Sequence, residues 1–236
     1  MKIPSAKKPP VTDLRKFKFL IYGQPGAGKS TLASRFPDAI FVPTEPGLNF
    51  LECAQICDDD GNPTICRSWS DLKSAIKAIV DGNHGYKTVV IDTVDNAWEF
   101  CALETLKKLR ISHESEGNFG SAYSAIKREF TKEINYVANS GYGLVFISHV
   151  KQIDRDEDGA KQTFTDNSLP GQAKNYINGL VDFIFYCAIV NQKRMMRTKA
   201  SDKVNAKDRS GRLPEVMEMD FNALIGALTN KVEEKK

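Results

Sequence analysis

The chain has no long hydrophobic run, and its number of cysteines is odd. The first observation argues against a membrane-spanning protein and the second against a disulfide-rich one. No apolar stretch approaches the roughly 18–20 residues that cross a bilayer, so we expect no membrane partner. The N-terminal segment is basic and proline-rich without an apolar centre, which predicts no secretory signal. With 41% hydrophobic and 27% charged residues, the composition is neither that of a disordered chain nor that of a fibrous one. We therefore expect a soluble, cytoplasmic protein.

The odd number of cysteines argues against a disulfide framework and indicates reduced thiols. The five are Cys53, Cys57, Cys66, Cys101 and Cys187. The first three follow the spacing C-x3-C-x8-C, and no second pair of cysteines or histidines completes a tetrahedral zinc site. We expect these thiols to be buried and inert rather than metal ligands.

The 236-residue chain is long enough for one large domain with its own core. We assign residues 1–16 to a basic flexible arm, residues 17–228 to the folded domain and residues 229–236 to a charged tail. Basic residues are frequent in the arm and in residues 151–212. This distribution suits polyanion binding, and an ordinary solvated surface is the alternative.

Short β-rich runs alternate with helical periodicity, which predicts an α/β fold with a mainly parallel sheet flanked by helices. The predicted strands cover residues 17–22, 39–44, 64–67, 88–91, 143–148, 183–190 and 194–199. The predicted helices end near residue 35 and cover about 69–81, 95–110, 121–139, 172–180 and 221–228. Residues 111–121 and 150–171 are predicted loops, and the second is long enough to be functional or mobile.

A glycine-rich motif of the form G-x4-G-K-S stands between the first predicted strand and helix. Such a loop converges backbone N–H groups on a phosphate, while its lysine reaches the β- and γ-phosphate oxygens and its serine ligates Mg²⁺. The candidate nucleotide-binding residues are Gly23, Gln24, Pro25, Gly26, Ala27, Gly28, Lys29, Ser30 and Thr31. The strand-loop-helix context favours a nucleoside triphosphate site over a chance match.

Two acidic residues end predicted strands and should lie at the same edge of the sheet as the motif. Asp92 could hold Mg²⁺ together with Ser30, and capping of the next helix is its alternative role. Glu45 could orient and deprotonate the water that attacks the γ-phosphate, and a turn before Pro46 is its alternative.

Three further polar residues are candidates for catalysis. His149 follows the strand 143–148, where it could sense the γ-phosphate and signal to the next loop, or be structural. Arg197 and Lys199 are predicted to share one face of a strand. From there they could supply charge to a nucleotide on a neighbouring subunit, as arginine fingers do, and a solvated edge strand is the alternative.

These motifs, in this order and spacing, resemble those of RecA-superfamily ATPases. The resemblance is carried by GQPGAGKST, FVPTE, TVVIDTVD, GLVFISHV and MMRTKA, and it extends from about Phe17 to Leu228. The chain looks most similar to the minimal phage-type RecA-core proteins of recombination and single-strand annealing. This resemblance implies a RecA-like P-loop core with a C-terminal antiparallel extension of the sheet. The family usually has Gln in place of His149.

The resemblance also implies cofactors and partners. ATP and Mg²⁺ would be the cofactors, and single-stranded DNA would stimulate hydrolysis. Partners would be further copies of the chain, in a filament or ring, and a single-strand binding protein, all in the cytoplasm of a bacterial host. The loops 111–121 and 150–171 would face DNA, with basic side chains for phosphates and an aromatic ring for bases. The candidates are Lys151, Arg155, Lys161, Phe164 and Lys174.

Two other functions share the glycine-rich motif. A small-molecule or nucleotide kinase also needs an acceptor pocket and a mobile arginine-bearing lid. The position of Glu45 after the second strand and the absence of an evident lid argue against it. A nucleotide-gated assembly protein would bind ATP and barely hydrolyse it. Turnover measured with and without single-stranded DNA separates these alternatives from the leading hypothesis.

Overall fold

The computed structural model describes residues 13–116, 120–157 and 160–229, and its main feature in these ranges is a nine-stranded sheet. The sheet strands are β1 Lys18–Gly23, β2 Ala39–Pro43, β3 Ala54–Gln55, β4 Thr88–Asp92, β5 Gly143–Ser148, β8 Phe183–Val190, β9 Lys193–Arg197, β10 Lys207–Asp208 and β11 Val216–Glu218. A separate two-stranded ribbon consists of β6 Val150–Glu157 and β7 Ala160–Asn167. The helices are α1 Lys29–Ala33, α2 Trp69–Asp81, α3 Val94–Leu109, α4 Ser121–Ala138, α5 Gly171–Leu180 and α6 Phe221–Thr229.

The strand order is β11-β9-β8-β1-β5-β4-β2-β3, with β10 paired to β8. From β8 to β3 all neighbours are parallel, whereas β9, β10 and β11 are added antiparallel. This confirms the predicted α/β fold, mainly parallel with a C-terminal antiparallel extension. Because β1, β5, β4 and β2 run the same way, their carboxyl ends meet at one edge of the sheet.

Side chains of the central strands alternate between two cores, one on each face of the sheet. On β1, Leu20 and Tyr22 join the core under α2 to α5, whereas Phe19 and Ile21 join the core that contains α1 and α6. Strands β4 and β5 are buried along their whole length, as their continuous apolar runs predict. No helix in the described ranges is long and apolar enough to cross a bilayer.

Most of the segment predicted as the loop 150–171 belongs to the strands Val150–Glu157 and Ala160–Asn167, so the prediction of a long loop is wrong; residues 158 and 159 lie outside the described residues. The strands β6 and β7 pair antiparallel over their full length, from Val150 opposite Asn167 to Glu157 opposite Ala160. The ribbon has no ladder of hydrogen bonds with the main sheet, and Lys151 and Gln152 are exposed. An exposed ribbon needs few apolar residues, which explains why the sequence carries no period-2 pattern here.

Other boundaries also differ from those predicted. Residues 64–67 form no strand, and the edge of the sheet is the short β3 instead. Residues 14–16, assigned to the arm, form a 3-10 helix whose Leu14 is buried, while residues 1–12 and 230–236 lie outside the described residues. Among the cysteines, Cys57 is exposed and Cys53 partly exposed, whereas Cys66, Cys101 and Cys187 are buried as expected.

Candidate nucleotide site

The glycine-rich loop connects β1 to α1 at the carboxyl edge of the sheet, and two of its glycines are required by geometry. A Cβ on Gly23 would lie 2.2 Å from the carbonyl oxygen of Cys187 on β8. Gly28, the residue before α1, has a φ of +96°, a conformation that strains other residues. The loop can therefore bring its backbone N–H groups close to an anion at the first turn of α1.

Lys29 is the cation of this loop and is buried. Its Nζ donates hydrogen bonds to the carbonyl oxygens of Gly23, at 2.9 Å, and Gln24, at 3.1 Å. Burial lowers the pKa of Lys29, and the nearby carboxylate of Asp92 opposes that shift. The ammonium is thus held inside the loop, on the path of a bound phosphate.

Ser30 and Asp92 lie together, as the motif predicts. The Ser30 hydroxyl donates to Oδ2 of Asp92 at 2.7 Å. Burial raises the pKa of Asp92 in spite of this hydrogen bond. Hydroxyl and carboxylate oxygens are the ligands that Mg²⁺ prefers, so the pair fits that ion. No group of three or more His, Cys, Asp or Glu in the described residues could hold a metal alone, and phosphate oxygens would have to complete the coordination.

Thr44 joins the ends of β2 and β4 and thereby fixes the direction of the next residue, Glu45. Its backbone N–H donates to the Asp92 carbonyl at 2.7 Å. Its hydroxyl donates to the Thr93 carbonyl at 2.9 Å and accepts from the Thr93 N–H at 2.8 Å. These three bonds hold Glu45 next to the Mg²⁺ candidates.

The carboxylate of Glu45 is partly exposed and has two polar neighbours. Its Oε2 lies 3.2 Å from Nε2 of His149 and accepts a hydrogen bond from Nδ2 of Asn96 at 3.3 Å. His149 therefore stands between the acid and the ribbon that follows β5. The structure brings Lys29, Asp92, Glu45 and His149 to one edge of the sheet.

Asp95, at the start of α3, ties the end of β5 to both ends of the ribbon. It accepts hydrogen bonds from the Ser148 hydroxyl at 3.0 Å, from the backbone N–H of His149 at 3.2 Å and from the Ser168 hydroxyl. The backbone N–H of Ser168 in turn donates to the carbonyl of His149 at 3.0 Å. Burial raises the pKa of Asp95. The ribbon and Glu45 thus share His149 as a common neighbour.

The five residues proposed to contact DNA differ in their surroundings. Lys151 is exposed on β6, and Phe164 on β7 is partly buried opposite Ile153. Lys174 instead forms an ion pair with the buried Asp166 at 2.9 Å, so its charge is balanced within the chain. The side chains of Arg155 and Lys161 lie outside the described part of the structure.

Arg197 and Lys199 do not share a strand face, contrary to the prediction, because β9 ends at Arg197 and Lys199 lies in a bend beyond it. Arg197 is half-buried and pairs with Glu215 at 2.5 Å. Strand β9 runs antiparallel to β8, so the path from Arg194 to Lys199 leads away from the nucleotide edge. Neither residue is brought to its own chain's glycine-rich loop.

Sequence reasoning missed Asn96, Asp95 and Arg194. The first two could have been found, because polar residues in the first turn after Asp92 must lie near the same edge. Arg194 lies against Gly28, since a Cβ there would be 3.0 Å from Cδ of Arg194. That contact depends on the register of β9 on β8 and of β8 on β1, for which the sequence holds no signal.

Comparison with known proteins agrees with this site. The chain is similar to the SPbeta prophage-derived uncharacterized protein YorG of Bacillus subtilis (strain 168), with 24% identity over 137 residues. The match covers 56% of this chain and 40% of the relative, so the chain spans less than half of that protein. The model of the AAA domain family AAA_24 matches residues 15–210. Because that match spans most of the chain, including the glycine-rich loop, Asp92 and the ribbon, the protein belongs to this family of P-loop ATPases.

Proposed function

We propose that the protein is a RecA-type ATPase that hydrolyses ATP with Mg²⁺ and acts on single-stranded DNA in recombination or annealing. The observation that carries the proposal is the contact of Glu45 with His149, the residue that joins β5 to the ribbon. The candidate general base and a candidate DNA-binding element are one side chain apart. This juxtaposition suits an enzyme whose turnover responds to a bound strand.

The chemistry follows from the residues at the sheet edge. The loop N–H groups and Lys29 would hold the phosphates, and Ser30 and Asp92 would hold Mg²⁺. When bound, Mg²⁺ supplies a positive charge that offsets the charge of the phosphate oxygens. Glu45 would accept the proton of the attacking water. Asn96 and His149 act as positioning residues that fix the direction of the Glu45 carboxylate.

The ribbon is the proposed DNA contact. Its exposed Lys151 suits a phosphate, and Phe164 suits stacking on a base once the strand is bound. Acidic residues at 154 and 156 lie beside them and dilute the positive charge, so the affinity for DNA should be modest. Because the contact is with phosphates, binding should also weaken as salt is added. The relative's description as prophage-derived supports a phage setting for this chain as well.

A nucleotide-gated assembly protein is the second candidate. Glu45 accepts a hydrogen bond from Asn96 and contacts His149, and these contacts compete with a water molecule for the carboxylate. If they persist when ATP is bound, the protein would bind ATP and barely hydrolyse it.

The test is phosphate release with and without a polythymidine oligonucleotide. DNA should stimulate the wild type, and Glu45→Gln should bind ATP while turning over at least about 10²-fold more slowly, the usual scale for a general base. Lys151→Glu should raise the DNA concentration needed for half-maximal stimulation. Lys87→Glu, at the opposite edge of the sheet, is the matched control. ATP binding without turnover would favour the assembly protein, and turnover indifferent to DNA would contradict the DNA role.

A further inference from the structure

Arg194 lies over the mouth of the glycine-rich loop, in the same chain. A Cβ built on Gly28 would be 3.0 Å from Cδ, 3.2 Å from Nε and 3.5 Å from Cζ of Arg194. The whole distal half of the side chain is therefore stretched along the backbone at the start of α1. This is where the motif needs a residue without a side chain, so that a phosphate can approach the backbone.

The guanidinium of Arg194 has no carboxylate partner in the described ranges, whereas three other arginines do. Arg15 pairs with Asp13, Arg197 with Glu215 and Arg209 with Asp182. A guanidinium presents five N–H donors in a plane, which suits two phosphate oxygens at once. An exposed, unpaired arginine beside an anion-binding loop is therefore available to a bound anion.

Arg194 and Arg197 lie on opposite faces of β9. Residues two apart on a strand share a face, so Arg194 lies on the side of the buried Met196, and Arg197 lies on the other. Met196 belongs to the core that contains α1. Arg194 consequently faces the helix that begins at Lys29, whereas Arg197 does not.

A cavity of about 540 Å³ extends from the loop between α1 and residues 219–222. Its lining includes Gly28, Thr31, Arg35, Arg194, Asp220 and Asn222. It is large enough for a nucleoside. With the β- and γ-phosphates in the loop, a nucleoside in this cavity would place the α- and β-phosphates beside Arg194.

We propose that Arg194 binds the α- and β-phosphates of the nucleotide held by its own chain, and so holds ATP and ADP alike. The inference rests on the proposed nucleotide binding and adds a residue that no motif contains. It assigns to Arg194 a role in affinity and in retention of the product. The γ-phosphate is left to Lys29.

The test is equilibrium binding of fluorescent ATP and ADP analogues in Mg²⁺. Arg194→Ala should weaken both by a similar factor of at least about 10, the effect of losing a charge-assisted hydrogen bond. It should also raise the KM for ATP more than it lowers kcat. Arg194→Lys should recover part of the affinity, because lysine keeps the positive charge but cannot bind two phosphate oxygens in one plane. Lys193→Ala removes an exposed cation on the same strand, paired with Glu218, and should change neither affinity.

The outcomes separate this inference from the proposed function. Normal binding of both analogues by a folded Arg194→Ala protein would overturn the inference while the nucleotide site stands. A loss confined to ATP would also overturn it, because it would indicate a γ-phosphate contact. Tighter binding would mean that Arg194 competes with the nucleotide, which equally overturns it. If the wild type binds neither analogue, the proposed function fails, and the inference fails with it.

Discussion

Asp92 is a buried carboxylate, and the loss of its hydration destabilises the folded chain. Replacing it should therefore change the stability. Burial raises its pKa, so the charged form is less stable in the folded chain than in water. Asp92→Asn keeps an oxygen that can accept from Ser30 and removes the charge. We expect the variant to melt at a higher temperature than the wild type without nucleotide, by a few degrees per kcal/mol gained. Its Mg²⁺-dependent turnover should be nearly lost.

The same residue predicts a pH dependence. Because the folded state binds this proton more tightly, the contribution of Asp92 to stability is fully present below its ordinary pKa of 3.8 and declines as the pH rises through the raised value. The melting-temperature advantage of Asp92→Asn should therefore be small near pH 4 and larger at pH 7. Melting curves at several pH values measure it. An advantage that shrinks as the pH rises would contradict the burial argument.

Asn96 is predicted to act through Glu45. Asn96→Ala removes the N–H donor at 3.3 Å from Oε2, so the carboxylate loses one of its two polar neighbours. We expect kcat to fall by about 10-fold, within the range of a net hydrogen bond to a charged group, with little change in KM. The same substitution in a Glu45→Gln protein should have a much smaller effect, because coupled residues are not additive. Equal effects in the two backgrounds would show that Asn96 does not work through Glu45.

Residue-level motifs made part of the candidate site predictable. The glycine-rich loop, Asp92 and Glu45 are local signals, because each follows or ends a strand that the sequence marks clearly. Asn96 was missed although it lies in the first turn after Asp92, a position that places it near the same edge of the sheet. Arg194 was missed because its contact joins distant segments, and its position follows from strand order and register, which a pattern of apolar residues does not specify.

At the scale of elements, the ribbon β6–β7 is held at its base by a buried ion pair. Asp166 is buried, and it accepts hydrogen bonds from Lys174 at 2.9 Å and from Asn205 at 2.7 Å. Lys174→Ala would leave the carboxylate without its cation, which typically costs about 3–5 kcal/mol. The remaining amide donors should reduce that cost. Denaturant unfolding should thus show a loss of roughly 2–4 kcal/mol.

The control is Lys151→Ala, a change to an exposed lysine of the same ribbon. It should alter unfolding by less than about 0.5 kcal/mol, as for most surface sites. Equal stability of the two variants would mean that the ion pair contributes nothing at the base of the ribbon. A stability loss in Lys174→Ala would also explain weaker DNA binding without any contact between Lys174 and DNA.

The elements were predictable wherever they are buried on at least one face. Strands β4, β5 and β8 were found within one residue, because their apolar runs are continuous. The ribbon was not, since its two strands support each other with backbone hydrogen bonds and need no apolar face. The strand expected at 64–67 was replaced by β3, two residues long, which carries too short a pattern to detect.

At the scale of the whole molecule, Lys199 tests whether copies cooperate. It is exposed, has no ion-pair partner in the described ranges and lies beyond the end of β9 that is farther from its own glycine-rich loop. If it acts on a nucleotide, it acts on that of a neighbour. Lys199→Ala should then lower turnover while leaving ATP affinity intact, and mixing it with Glu45→Gln should restore part of the activity.

The restoration has a structural reason. Some interfaces in the mixture would join an intact Glu45 to an intact Lys199. Phosphate release from each variant alone and from the mixture measures it, with assembly followed by light scattering. Full activity of Lys199→Ala would remove this residue from the mechanism. An inactive mixture of assembled proteins would leave Lys199 as ordinary surface charge.

Strand β1 lies in the middle of the sheet, buried on both faces and paired on both sides with parallel strands. Its amide hydrogens should therefore exchange with deuterium only when the entire chain unfolds. The strands β6 and β7 form a separate two-stranded sheet, joined through backbone hydrogen bonds to residues 203–205 at Thr165, so most of their amide hydrogens should exchange through small local openings. Nucleotide cannot then enter by fraying the strand that carries its loop. If added ATP slows deuterium exchange in the ribbon, the nucleotide site and the ribbon are energetically coupled.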